Sequence, residues 1–152
     1  MLINCFWKRV VRIFSLLVLI TLVAAAPALG AQSKRTARIS ETELQAELMA
    51  FAERFASYLY QGLQDYERQP EALKMRPQVQ KDVVTSSMSA MTIAADPKPE
   101  RALLDMVALV TLGRMIYETH WLPRYGENFR PVVRSYSKGE REIWELSAKV
   151  LD

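Results

Sequence analysis

The sequence predicts an all-α protein: a small bundle of three to five helices behind an N-terminal export segment. Three observations carry that expectation. Apolar residues recur at intervals of three and four, the period of a helix face. Prolines 70, 77, 97, 99, 123 and 131 fall between the periodic stretches rather than within them. No stretch alternates apolar with polar residues over the length of a strand, and no internal repeat is present. The chain has 152 residues, of which 50% are hydrophobic and 24% charged, which suits one domain and is too apolar for general disorder.

The first element is an address or an anchor. Lys8, Arg9 and Arg12 precede an uncharged run from Ile13 to Val23, followed by Ala24, Ala25, Ala26 and Pro27. Ala28 and Gly30 are the small residues that a signal peptidase needs for cleavage before Ala31, and Pro27 ends the hydrophobic helix just ahead of them. No Cys follows the apolar run, so a lipid-modified N-terminus is not expected. The competing reading is an uncleaved membrane helix, because residues 13–33 carry no charge and a span needs about 20 residues. In both readings the basic flank stays in the cytoplasm and the remainder crosses. The expected location is periplasmic or extracellular, or anchored in the inner membrane with the domain outside the cytoplasm. Membrane contact would then run only through residues 1–30, if uncleaved. Residues 31–39 read as a linker and 40–152 as the helical domain. That domain has no cap signal at its end, which fits either a naturally short chain or a fragment.

Charge follows the same division. The formal net charge is +3, but removing the leader's three basic residues from the total of 20 leaves 17, equal to the 17 acidic side chains. The excess therefore belongs to the leader, and no nucleic-acid partner is expected. The basic run Lys34, Arg35 and Arg38 is short and reads as solvated linker.

Ser40-Glu41-Thr42-Glu43 has capping-box spacing and opens the first helix of the domain. Leu44, Leu48, Phe51, Phe55, Leu59, Gly62 and Tyr66 form one buried face, ending near Gln69 because Pro70 follows. Tyr58 joins this stripe and Tyr60 points away. Gly62 costs about 1 kcal/mol relative to Ala, so close approach by another helix is its expected reason. A single turn follows around Ala72 to Met75. Pro77 then suits the first turn of a helix running to Ala94, carrying Val79, Val83, Val84, Met88 and Met91 with Ser86, Ser87, Ser89 and Ala90 among them.

Asp96-Pro97-Lys98-Pro99 is a stiff break. The helix after it, Glu100 to Trp121, is apolar in nearly every direction, which predicts a helix buried at the centre of the fold or covered by a partner. Asp105, Arg114 and Glu118 make it a costly membrane span. Pro123, Gly126 and Pro131 mark a loop holding Tyr125 and Phe129. Val132 to Tyr136 reads as a short helix, and Ser137-Lys138-Gly139-Glu140 as a second capping box opening a last one. The last helix carries Ile143, Trp144, Leu146, Val150 and Leu151.

Candidate chemistry gathers at the end of the apolar helix. Arg114 and Glu118 lie about 40° apart on a helical wheel, with Thr111 and Trp121 on the same side. Asp105 pairs in the same way with Arg101. Two local salt bridges are one reading; the other is a polar pocket of Arg114, Glu118, His120 and Trp121 that binds an anionic ligand through Arg114. His120, the sole imidazole, also suits a helix-end hydrogen bond. One His and one Cys leave too few ligands for a usual zinc site, and the sole Cys, Cys5, lies in the leader. No catalytic triad, phosphate-binding loop or metal-ligand spacing is recognisable, so no catalytic residue, metal or cofactor is expected.

Ala102-Leu103-Leu104-Asp105-Met106-Val107 followed by Leu109-Val110-Thr111-Leu112-Gly113-Arg114 resembles a segment of uncharacterised exported bacterial all-helical proteins, over Pro97 to Gly126. The resemblance implies a protein of the bacterial envelope and brings no activity or site residues with it.

The functional expectation is an exported, non-enzymatic binding or interaction module of the cell envelope, with a protein partner or a second copy completing the apolar helix. Gly62 and Gly113 would permit the close packing. The alternatives are a membrane-tethered subunit of an envelope complex, or a small enzyme built on Arg114, Glu118 and His120. Intact mass of the chain recovered from a bacterial host is expected to lack residues 1–30; recovery of the uncut chain in the membrane fraction would instead establish the tether.

Overall fold

The computed structural model describes residues 39–151, and the leader together with most of the linker lies outside the described residues. The described chain is all-α, with four long helices: α1 (Glu41–Glu67), α2 (Arg76–Ala94), α3 (Pro99–Ile116) and α4 (Arg130–Leu151). Each packs against its neighbours in sequence, and α4 returns to close on α1. Cross-helix pairs establish the antiparallel order. Gln45 near the start of α1 donates to the Ala94 carbonyl at the end of α2, whereas Glu67 at the far end pairs with Arg76 at 2.9 Å. Arg54 of α1 meets Glu142 of α4 at 3.2 Å. Among the described residues, no helix is long and apolar enough to cross a membrane.

α1 starts as its sequence requires. Ser40 is extended, and its Oγ accepts the Glu43 backbone N–H at 3.2 Å. The helix buries Leu44, Leu48, Phe51, Phe55, Leu59 and Tyr66 along one face and stops at Glu67. Gln69 is extended ahead of Pro70, the conformation that the proline ring imposes on its predecessor. The expected single turn is a 3₁₀ turn over Pro70–Lys74. It is held partly by the Tyr66 hydroxyl, which donates to the Ala72 carbonyl at 3.1 Å.

α2 buries the small side chains and not the large ones. Val79, Val83, Ser87, Ala90 and Ala94 face inward, while Val84, Met88 and Met91 are exposed. Each of those three follows a buried residue by one position, which turns it about 100° away from the core. Small inward residues let α2 lie close to its neighbours.

The expectation that α3 is buried at the centre of the fold is corrected. Pro99, Ala102, Leu103, Met106 and Val110 are buried, but Leu104 is 68% and Leu112 58% exposed, and Met115 and Ile116 are exposed as well. A helix at the corner of a four-helix bundle meets neighbours over only part of its circumference. All-round apolarity therefore leaves some of it in water.

The chain does not break at Tyr136. α4 runs unbroken from Arg130 through Ser137 and Gly139 to Leu151, so the second capping box is absent. Ser137 instead donates to the Val133 carbonyl at 3.0 Å, the back-bond of a serine inside a helix. Gly139 is no start signal; it is buried in the interface with α1.

Between α3 and α4 the backbone widens into a π turn over Tyr117–Trp121, where the Leu122 N–H bonds the Tyr117 carbonyl. Pro123 explains the widening, because in an α-helix its ring would strike the Thr119 carbonyl. One helical turn, Leu122–Tyr125, and a 3₁₀ turn, Glu127–Phe129, complete the connection. Gly126 joins them at φ 109°, a value that favours glycine.

Three close approaches seat α4 on its neighbours. A Cβ on Gly62 of α1 would lie 2.3 Å from Ser135 Oγ and 3.0 Å from the Pro131 carbonyl oxygen. A Cβ on Gly113 of α3 would lie 2.2 Å from the Tyr136 ring, and one on Gly139 would lie 2.5 Å from the Phe55 ring. Replacing Gly139 with Ala is expected to lower stability by up to about 2 kcal/mol, an overpacking cost of roughly 1–3 offset by about 1 in helix propensity. Urea unfolding at neutral pH measures this, and a variant at least as stable as the parent would show that Phe55 has room to move.

Candidate functional site

A groove of about 310 Å³ lies between α2 and α3. Asp82, Thr85 and Ser86 share one side of α2, spaced as helical neighbours three and four apart. Leu109, Leu112, Gly113 and Ile116 supply the facing side of α3 by the same spacing. Tyr117 and Tyr136 form the floor. Leu112 and Ile116 are both lining residues and exposed, so they make an apolar outer lip.

The floor depends on Gly113. With no side chain there, the Tyr136 ring crosses from α4 beneath α3, and its hydroxyl shares a hydrogen bond of 2.8 Å with Ser86 Oγ on α2. The Tyr117 ring stacks on it, with centroids 5.6 Å apart and planes inclined by 26°. The Tyr117 hydroxyl donates to Asp82 Oδ2 at 3.2 Å, and Gln78 Nε2 donates to Asp82 Oδ1 at 3.0 Å. Burial, and then the nearby Asp82 charge, hold the Tyr117 hydroxyl well above its ordinary value of 10.0. Burial also raises Tyr136, against a smaller opposing effect of the Ser86 hydrogen bond. Both phenols are therefore neutral at physiological pH, and Tyr117 is a fixed donor to Asp82.

The residues singled out in the sequence lie elsewhere. Arg114 projects from the α4-facing side of α3, 26% exposed, in ion-pair contact with Glu118 and with Glu140 of α4. The contact of its Nε with Glu140 is electrostatic rather than an aligned hydrogen bond. Arg101 and Asp105 make the second expected pair, at 3.6 Å on the surface. His120 is exposed in the π turn. Trp121 packs into a cluster with Tyr117, Tyr125 and Phe129, at centroid distances of 5.2, 5.7 and 5.3 Å. Thus Arg114 and Glu118 come together, Trp121 joins the aromatic packing and His120 stands apart. None of the four lines the α2–α3 groove.

Asp82, Ser86, Tyr117 and Tyr136, which line the groove, form no recognisable site pattern in the sequence. The available signal was the polar and small side of α2, Asp82, Thr85, Ser86 and Ser89, facing a glycine on the next helix. Among the described residues, no three His, Cys, Asp or Glu side chains gather as a metal site would require. No protein-family model, curated protein or solved structure matches the chain.

The tyrosines predict an alkaline limit. Phenols whose folded values are raised contribute stability that is complete below the unfolded value, about pH 10, and is lost as pH rises through the folded value. Urea midpoints are expected to hold to about pH 10 and then fall. Tyr117→Phe is expected to fall less steeply than the parent above that point, and parallel profiles would deny Tyr117 this role.

Proposed function

We propose that the chain is an exported, non-enzymatic helical binding module that works outside the cytoplasm and engages its ligand through the α2–α3 groove. The observation that carries this reading is the groove itself: a preformed concavity with an apolar lip, Leu112 and Ile116, over a polar floor. Single exposed leucines are ordinary on protein surfaces. Here three large apolar side chains of α3 border one concavity that also holds a carboxylate and several hydroxyls, a composition typical of ligand sites. The N-terminal basic-apolar-small pattern supports export, and the charge balance of the rest argues against a polyanionic partner.

A second reading, the same module tethered by residues 13–33, draws on their lack of charge and leaves the groove's role unchanged. An enzyme based on Arg114, Glu118 and His120 draws less support, because Arg114 and Glu118 neutralise one another and His120 is exposed in the π turn.

Placing a photo-crosslinking amino acid at Leu112 tests the module. In producing cells, irradiation is expected to give a discrete adduct, read by gel for a macromolecule and by intact mass for a small one. The same group at Glu53, exposed on α1, should give none. Adducts absent at both positions, or identical at both, would defeat the proposal.

A further inference from the structure

The groove's chemistry narrows what it can hold. Of its nine lining residues only Asp82 carries a formal charge. Among the described residues, no Lys or Arg pairs with that carboxylate; its hydrogen bonds come from the neutral Tyr117 hydroxyl and Gln78 amide. A carboxylate has about four lone-pair sites, so two donors leave acceptor capacity free. Thr85 and Ser86 hydroxyls lie beside it on α2, and the stacked faces of Tyr117 and Tyr136 lie below. Leu109, Leu112 and Ile116 extend the apolar wall over eight residues of α3, roughly 10 Å of helix rise. That length and the volume of about 310 Å³ match a small molecule and are short for a docked helix.

We infer that the α2–α3 groove binds a small organic cation: a protonated primary amine whose ammonium group meets Asp82 and whose apolar body lies along Leu109, Leu112 and Ile116. The ammonium donates to the free lone pairs of Asp82 and to the neighbouring hydroxyls. Anions gain nothing here, because no lining residue is basic and Asp82 repels them. Neutral apolar molecules gain the walls alone. The inference rests on the binding-module reading and names its ligand class.

Three probes of one shape test it on the full chain: n-hexylammonium, n-hexanol and hexanoate, each titrated by NMR while the Leu112, Thr85 and Ile116 signals are followed. Hexylammonium is expected to bind about tenfold or more tightly than hexanol, the size of a charge-assisted hydrogen bond, with hexanoate weakest. Asp82→Asn keeps an acceptor for the Tyr117 hydroxyl and should abolish the preference without altering hexanol binding. Leu112→Ser, at an exposed lip position, should weaken hexylammonium and hexanol alike. Equal affinities for the three probes, or a preference that survives Asp82→Asn, would overturn the cation assignment while leaving the groove a binding site. Failure of both hexanol and hexylammonium to bind would overturn the groove's role as well.

Discussion

The bundle depends on how near α4 can come to its neighbours, and three glycines set that distance. Gly62 on α1 admits Ser135, Gly113 on α3 admits the Tyr136 ring, and Gly139 on α4 itself admits the Phe55 ring of α1. Ser135, Tyr136 and Gly139 lie within little more than one turn, so one short stretch of α4 is seated against two helices at once. Phe55 and Tyr136 then meet edge to face at 5.6 Å in the middle of the core. Such contacts are tight on both sides, because a close-packed interior cannot absorb an added methyl without displacing something. Crossing the bundle brings the Tyr136 hydroxyl to Ser86 on α2. The groove floor is thus a consequence of the helix spacing.

The four helices do not share the burial equally. α1 and α4 sort their large apolar residues onto one face, with Tyr60, Trp144 and Leu151 the exposed exceptions. α2 and α3 do not sort them: α2 turns Val84, Met88 and Met91 outward, and α3 turns out Leu104, Leu112, Met115 and Ile116. Apolar surface left in water brings no folding advantage, so these outward side chains add little to the stability of the bundle. The pattern falls on the two helices that also build the groove.

Local signals in the sequence were legible where the competing interactions are also local. Ser40 caps α1, Gln69 ends it ahead of Pro70, and Arg114 pairs with Glu118 one turn on. Gly62 and Gly113 were read as sites of close approach, and both are. Ser137 and Gly139 mislead because Ser-x-x-Glu and a glycine look the same whether they begin a helix or sit inside one. Only the partner, Phe55 from 84 residues earlier, decides between them. Likewise the apolar count of α3 says nothing of how many neighbours it has. The groove was illegible for the same reason: Asp82, Tyr117 and Tyr136 come from three separate segments, brought together by a register that no single stretch encodes.

The division of labour among the groove residues bears on what it can recognise. Tyr136 is tied to Ser86 and seated on Gly113, and Tyr117 is stacked on it at the start of the π turn that Pro123 enforces. Both rings are buried in the core, so the fold itself holds the floor in place. A preformed site spends little free energy on ordering itself, and a small molecule with few contacts can then be held. Asp82 differs from both tyrosines. It is only partly buried, and its charge is balanced by no cation among the described residues. The shape of the groove is therefore set by rings packed in the core, whereas its one formal charge is that of Asp82. In such an arrangement a single substitution at Asp82 would change the charge of the groove while the bundle keeps its size.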